Sequence, residues 1–405
     1  MPKVIQINPV VKNGSTGRIT EQIGLRAIER GWDSYIAYSG RPQNTSASKL
    51  IQVGDYFANL RHAINTRLFD RHGLSSVNSS KKFVNQLDIV KPDLLHLHNI
   101  HGYFLNYEIL FDYIFDKNIP VIWTFHDFWP ITGHCTYFLD VKCEKWKSQC
   151  YKCPKLGLYP KSIWLDNSEN NYQRKKKCFS RIENLTIVPV SNWAAGIVKK
   201  SFLQDKDIKV IYNGIDTEIF KPRQSAFMLR LKLGLEGKFV IMAMATTWGK
   251  RKGWFDYIEL AKILPPDVKI VLVGVTEKEI RELPPIILGV KRTESIGELA
   301  ELYSLADIIM NLSYQETFGL TTVEGFACGT PGIVYNNTAS PELMNPYVGE
   351  LVETGNLQEV ISAIELIRCK GKDAYSSHCR SRAVSNFSST DRFNDYLDLY
   401  EQKIK

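Results

Sequence analysis

No apolar run in this 405-residue sequence approaches the roughly 20 residues that a membrane-crossing helix needs. The most apolar stretches, residues 239–245 and 269–274, are strand-length, and no span is expected. The opening MPKVIQINPV alternates as a strand does. It lacks the charged start, long apolar centre and small-residue cleavage site of a secretory signal, so export is not expected and a cytoplasmic location is. Low-complexity tracts and internal repeats beyond two similar halves are also missing. The glycine turn Asn13, Gly14, Ser15, Thr16, Gly17 does not form G-x-G-x-x-G, which argues against a NAD-dependent dehydrogenase.

Acid is scarce in the first half. Residues 1–210 hold 29 Lys and Arg against 18 Asp and Glu, so the whole of the net charge of +8 resides there. Such a surplus attracts anionic lipid head groups, a pyrophosphate-linked substrate or nucleic acid, although excess lysine also serves simply as solvated surface. The 44% hydrophobic content and the length allow a large core divided over two or more domains.

The order of elements predicts the fold class. Residues 4–8 read as a strand, followed by the small-residue turn and then a helix through Ile19, Ile23, Leu25 and Ile28. Further strands are expected at 34–39, 93–97 and 120–125, a short one at 209–212, and then 239–245, 269–273, 308–312 and 332–335. Apolar strands separated by helices predict parallel α/β sheets. The expected division is a first α/β domain over 1–208, a second α/β domain over 209–390 and a terminal helix over 391–405. That helix carries Phe393, Tyr396, Leu397 and Tyr400 at helical spacing and is expected to pack back near the N-terminal domain. Residues 132–171, rich in Cys, Lys, Trp and Tyr, break the alternation as an insertion.

The segment richest in chemistry runs from Glu316 through Thr317, Phe318, Gly319, Leu320 and Thr321 to Glu324, then Gly325, Ala327, Gly329, Thr330 and Pro331. Two carboxylates flank small residues that should open a helix. The unpaired amides of Phe318, Gly319, Leu320 and Thr321 and the positive dipole end suit a diphosphate there. Glu324 is placed to accept hydrogen bonds from ribose hydroxyls and Glu316 to hold the hydroxyls of a transferred sugar. An ordinary capped amphipathic helix with Glu316 facing solvent fits the same spacing.

The stretch 307–331, with this E-x7-E pattern, resembles the donor-binding signature of family-four glycosyltransferases of the GT-B fold. Asn213, Gly214, Ile215 and Asp216, with Phe220, Lys221 and Pro222, resemble the inter-domain segment of that family, and the similarity extends over nearly the whole chain. The resemblance implies two Rossmann-like domains whose parallel sheets face across a cleft. It further implies a nucleotide-diphosphate sugar donor in the C-terminal domain, an acceptor on the N-terminal domain, retention of anomeric configuration, and no catalytic metal. Under it, Glu324 binds ribose, Glu316 the sugar, and the backbone at Phe318 to Thr321 the phosphates.

With no metal implied, cations must meet the charge that grows on the leaving diphosphate, and Gly249, Lys250, Arg251, Lys252 and Gly253 supply them. Lys252, followed by glycine, matches the lysine of the family's diphosphate clamp. The family's arginine has no clean counterpart, since Thr246, Thr247 and Trp248 occupy its place, and Lys250 or Arg251 is expected to substitute. A solvated basic turn is the alternative.

On the N-terminal side, Gly14 and Gly17 flank a loop at the carboxyl edge of the sheet, where ligands bind in open α/β folds. Gly17 is accordingly expected near the donor, and Arg18 follows it either toward an anion or on the surface. His126 ends the strand at 120–125 and resembles the family histidine that contacts the sugar; neutral, it can hydrogen-bond a hydroxyl, and protonated, it can also stabilise charge. His96, His98 and His101 lie on and after the strand at 93–97, with a metal pair, core and acceptor-lining roles all open.

Cys135, Cys143, Cys150 and Cys153 fall within 19 residues beside His134. In a reducing cytosol the cluster suggests either a structural zinc or free buried thiols. A closed four-thiolate site would brace the insertion without catalysing. Cys178, Cys328, Cys369 and Cys379 are scattered and are expected as plain core or surface residues.

These readings converge on a retaining, metal-independent hexosyl- or related glycosyltransferase. It is expected to act on a saccharide or polyprenyl-diphosphate-linked acceptor in polysaccharide biosynthesis, with peripheral contact at the inner face of an anionic membrane as a further expectation. His126, Glu316 and Lys252 carry the catalytic expectation; Gly17, Arg251, Lys252, Asn213, Phe318, Gly319, Leu320, Thr321 and Glu324 the donor-binding one. Another GT-B enzyme, a nucleotide-sugar epimerase or a phosphorylase, is the rival of the same class. A zinc-containing nucleic-acid-binding protein is a further rival, but it would leave the E-x7-E motif without a task, and no nucleic acid is expected as partner.

Overall fold

A computed structural model of the chain describes residues 1–40 and 45–405. By internal contacts it divides into two units, Met1–Tyr212 together with Arg392–Lys405, and Asn213–Asp391.

The first unit is built on strands β1 (Lys3–Ile7), β2 (Asp33–Ser39), β3 (Lys49–Val53), β4 (Leu94–Leu97), β5 (Val121–Phe125), β6 (Leu185–Pro189) and β7 (Asp207–Ile208). They form one sheet in the order β3-β2-β1-β4-β5-β6-β7, parallel throughout. Every residue of β4, β5 and β6 is buried. Helices on both faces of a parallel sheet leave no solvent side, which is why these strands read as nearly continuous apolar runs. The direction of strand addition reverses between β1 and β4, and ligands of open α/β sheets collect at such a reversal, outside the carboxyl ends of the strands.

The second unit repeats the plan with β8 (Phe239–Met244), β9 (Val268–Val273), β10 (Ile287–Val290), β11 (Ile308–Asn311), β12 (Gly332–Tyr335) and β13 (Gly349–Val352). Their order is β10-β9-β8-β11-β12-β13, again all parallel, with the reversal between β8 and β11. Two parallel α/β domains of Rossmann type are thus present.

The terminal helix Ser389–Lys403 belongs with the first unit from Arg392 onward. Its Phe393, Tyr396, Leu397 and Tyr400 are buried. The Tyr400 ring meets Trp32 edge to face at 5.4 Å, and Asp398 pairs with Arg30 at 2.5 Å.

Three local expectations change. The short strand foreseen at 209–212 is displaced to Asp207–Ile208. Beyond it the chain keeps single bonds to β6, from Lys209 N to Ile187 O and from Ile211 N to Pro189 O, without a continuous ladder. The first helix begins at Gly14, whose φ of 65° a glycine adopts freely, so Gly17 sits inside the helix rather than closing a loop before it. The insertion is mostly bends and irregular chain with two short 3-10 turns, at Leu139–Val141 and Lys145–Lys147, and it ends earlier than residue 171, where the helix Ser168–Ser180 begins.

Candidate active site

In the second unit, the turn after β8 and the turn after β11 are stitched together at the strand-order reversal. Tyr314 N donates to Arg251 O at 2.8 Å, and Arg251 Nη1 donates to Gln315 O at 3.0 Å. Gly253 makes this approach possible. Its φ is 72°, and a Cβ there would stand 2.3 Å from Leu312 O; any side chain would push the two turns apart.

The approach places Lys252 Nζ against Glu316 Oε1 as an ion pair. Ser313 Oγ donates to the same carboxylate oxygen at 2.9 Å, and Glu316 N donates to Thr338 Oγ1 at 3.1 Å. Burial pushes the Glu316 carboxyl up, but Lys252, Arg251 and Ser313 outweigh it and hold it below the usual range. Burial lowers Lys252, with Glu316 opposing. The result is a sequestered carboxylate and a sequestered ammonium paired side by side.

The helix Leu320–Ala327 starts four residues after Glu316. Its N-cap, Gly319, has φ 106° and offers no side chain to satisfy the first amides. The Phe318 side chain is buried and meets Phe387 edge to face at 5.7 Å, so Phe318 has only its backbone to offer a ligand. Leu320 and Thr321 are half-buried. Such a helix start is an anion site in the making. Glu324 is buried and accepts the Tyr303 hydroxyl at 2.9 Å. Asn213 is buried where the second unit begins.

In the first unit the histidines form a buried relay. Gln6 Nε2 donates to Thr20 O at 2.9 Å, which turns Gln6 Oε1 toward His98 Nε2, 3.1 Å away. His98 Nε2 therefore carries the proton, and its Nδ1 accepts from His126 Nε2 at 3.0 Å. Burial holds both rings neutral, His98 well below its ordinary value and His126 down to about 4. The proton of His126 is thus fixed on Nε2, and Nδ1 is its acceptor atom. A neutral His126 replaces the protonated alternative considered from sequence.

His96 and His98 stack with centroids 4.1 Å apart, yet all four of their ring nitrogens are engaged with protein partners. His96 lies between Thr124 Oγ1 at 2.8 Å and Tyr400 OH at 2.5 Å, a core role that leaves no metal pair. His101 Nε2 is 2.9 Å from Asp127. Gly17 is buried against the 10–12 turn, Lys12 N donating to its carbonyl at 3.2 Å, while Arg18 is half-buried.

Cys135, Cys143, Cys150 and Cys153 line one small pocket with His134, and all four are free. Among the described residues no three His, Cys, Asp or Glu side chains converge as a metal ion requires. The pocket wall does hold an orphaned buried atom: His134 Nδ1 pairs with Asp70 Oδ1 at 2.5 Å, while Nε2 has no hydrogen-bond partner. Sequence reasoning missed Asp70, Gln6 and Tyr303, since each acts through a partner distant in the chain, and Ser313, whose Glu316 partner is three residues away but whose hydroxyl is aimed only by the fold of the turn.

The comparisons with known proteins come to the same place. The model described as "Glycosyltransferase Family 4" matches residues 16–219, half of the chain, and "Glycosyl transferases group 1" matches residues 229–375. A putative colanic acid biosynthesis glycosyl transferase, WcaC, of Escherichia coli K12 is 26% identical over 226 residues, 53% of this chain and 54% of that one. The Escherichia coli UDP-Gal:alpha-D-GlcNAc-diphosphoundecaprenol alpha-1,3-galactosyltransferase is 26% identical over 217 residues, 50% of this chain and 56% of that one. The chain thus spans about half the length of the curated relatives it matches. Among solved structures, sucrose-phosphate synthase of Thermosynechococcus elongatus shares the fold with a TM-score of 0.72 over 99% of both chains at 18% identity. By the match to its family model, the chain belongs to Glycosyltransferase Family 4.

Proposed function

We propose that this protein transfers a sugar from a nucleoside-diphosphate sugar to a saccharide or lipid-linked saccharide, with retention of anomeric configuration and without a catalytic metal, in polysaccharide biosynthesis. The observation that carries the reading is the Lys252–Glu316 pair, set with Arg251 at the strand-order reversal beside the open helix start at Gly319. A carboxylate held ionised can grip sugar hydroxyls. The cations and the backbone amides of the helix start can take up the charge that appears on the diphosphate.

In this mechanism the bond from the anomeric carbon to the phosphate oxygen breaks as the acceptor hydroxyl attacks from the same face. The departing diphosphate takes the hydroxyl proton, so no enzyme nucleophile is required. Arg251, Lys252 and the amides at 318–321 stabilise the leaving group, Glu316 orients the sugar, Glu324 holds the ribose, and His126 Nδ1 accepts from a sugar hydroxyl. The names of relatives support a nucleotide-sugar donor and an acceptor carried on a lipid diphosphate. Such an acceptor would bring the enzyme to the inner face of a membrane.

We include a structural zinc in the proposal. The donor set is right in kind, four thiols and a histidine already oriented by Asp70, as carboxylate-held metal ligands are. Binding requires the thiols to turn toward a common centre. Zinc assay of protein purified without chelator is expected to give about one ion per chain, and metal-free folded protein would remove zinc from the reading.

A panel of nucleoside-diphosphate sugars tests the central claim: one of them raises the melting temperature and is consumed on addition of acceptor, with an axial or equatorial product linkage matching the donor. Added Mg2+ or Mn2+ leaves the rate unchanged. Absence of stabilisation by any nucleoside diphosphate would overturn the reading.

A further inference from the structure

The helix Tyr56–Phe69 is amphipathic in the wrong direction for a helix of a soluble domain. The face it turns to the protein carries Ala58, Asn59, His62 and Thr66, all buried, with His62 bridging Ser76 Oγ at 2.9 Å and Gly73 N at 3.0 Å. The face it turns outward carries Phe57, Leu60 and Ile64, at 68%, 42% and 43% exposure. Spacing of three and four residues keeps these three in one stripe. Burial of apolar area drives packing, so a helix with its apolar stripe in solvent and polar side chains within lacks the partner that the stripe was built for.

The stripe does not end with the helix. Ile163 N donates to Arg67 O at 2.8 Å, and Asn167 Nδ2 to Phe69 O at 2.7 Å, so the loop after Pro160 is fastened to the helix C-terminus. That loop exposes Ile163, Trp164 at 76%, and Leu165 beside the exposed Phe69. Two segments joined by hydrogen bonds thus both present exposed aromatic and aliphatic side chains, and together they are the candidate surface. The cations on it are Arg61, Arg67, Arg71 and Lys161, all exposed. The helix itself has no Asp or Glu, and the acids at its margins are committed to internal hydrogen bonds: Asp55 to Ala58 N, Asp70 to His134 and Asn167 N, Asp166 to Ser168 N.

We infer that this surface docks the protein on an anionic bilayer, with Phe57, Leu60, Ile64 and Trp164 entering the boundary of head groups and acyl chains and the four cations meeting lipid phosphates. Charge complementarity selects lipid over a second copy of the chain. A copy would bring the same positive surface face to face with itself, whereas an anionic leaflet attracts each cation and receives apolar side chains between its head groups. The inference rests on the proposed transfer to a lipid-linked acceptor, and it states how such an acceptor is reached.

The test is co-sedimentation of the full chain with vesicles of phosphatidylcholine alone or mixed with phosphatidylglycerol, without donor or acceptor. Binding is expected to the mixed vesicles only, and to weaken as salt is raised. Phe57→Ser with Trp164→Ser should release the protein at all salt concentrations, because exposed positions are changed and the fold is kept. Arg61→Glu with Arg67→Glu should weaken binding by about fivefold for each cation removed and flatten the salt dependence. Transfer to a short-chain soluble acceptor should be equal in all these proteins. Failure of wild-type protein to bind mixed vesicles, or equal binding by the Phe57 and Trp164 variant, overturns the inference while leaving transfer to be judged by the soluble assay. A dimer in solution that Phe57→Ser with Trp164→Ser disperses would instead assign the surface to a second copy.

Discussion

His98 Nδ1 lies 3.0 Å from His126 Nε2, and that contact decides where the proton of His126 resides. Because Gln6 holds the other face of His98, the direction of donation runs one way along the chain of side chains, from His126 to His98 to Gln6.

His98→Phe keeps the ring volume and removes the acceptor, so His126 loses the partner that fixes its tautomer. The imidazole 15N shifts of His126 should change from those of a single Nε2-protonated form to a mixture, and kcat/KM should fall by about tenfold to a hundredfold through loss of orientation. Donor binding, measured by calorimetry, should change little. Unaltered 15N shifts in the variant would show that the relay does not set the tautomer.

Lys252→Ala and Glu316→Ala are each expected to abolish most transfer, but they differ in stability. Removing Lys252 strands a buried carboxylate, costing about 3 to 5 kcal/mol, whereas removing both partners deletes the charge problem with the pair. Urea denaturation of the two single variants and the double variant closes a cycle. The double variant should be more stable than Lys252→Ala alone, and both should be inactive. A double variant whose loss equals the sum of the singles would deny the coupling.

The sheets were legible in the sequence because doubly covered strands are continuous apolar runs; 120–125 and 332–335 need little more than composition to find. Strands Lys49–Val53, Leu185–Pro189, Ile287–Val290 and Gly349–Val352 escaped: the first, third and fourth are edge strands, which are short or carry charge as KLIQV and GELV do, and the fully buried LTIVP is interrupted by a threonine and ends on a proline. In the site, the E-x7-E spacing and Lys252 followed by glycine were visible because they are local. What was invisible is long-range. Tyr303 on Glu324, Asp70 on His134 and Gln6 on His98 depend on register between elements 21 to 92 residues apart, and spacing along one chain segment does not encode that. The inverted helix Tyr56–Phe69 was missed for a related reason: its apolar stripe is plain in the sequence, but only the fold reveals which side faces out.

Acid should unfold the protein early. Burial lowers His62 to about 3 and His126 to about 4, while unfolded histidine titrates near 6.5. Between those values the unfolded chain binds more protons, so stability present above pH about 6.5 is lost as pH falls, by about 1.4 kcal/mol per unit for each such histidine. The lowered Glu316 adds a further loss once pH drops below the ordinary carboxylate value. Melting temperatures recorded from neutral pH downward should decline from the histidine range onward, with a shallower slope in His126→Gln. A flat profile down to pH about 4 would contradict the buried neutral histidines.

Tyr400 ties the terminal helix to the first sheet through a single hydroxyl. Thr124 Oγ1 donates its proton to Tyr396 OH at 3.0 Å, so it accepts from His96 Nε2, and His96 Nδ1 in turn must accept from Tyr400 OH. Burial keeps His96 neutral, so with that donation its one ring proton sits on Nε2. Tyr400→Phe deletes the one donor and strands Nδ1 in a site fully closed to water, at a cost of about 1 to 3 kcal/mol. Tyr396→Phe removes an acceptor from a threonine hydroxyl that can rotate, and should cost less. Denaturant midpoints should therefore rank wild type above Tyr396→Phe above Tyr400→Phe, with transfer kinetics on a soluble acceptor nearly equal in all three. An inverted ranking would mean that the protons run the other way along this chain.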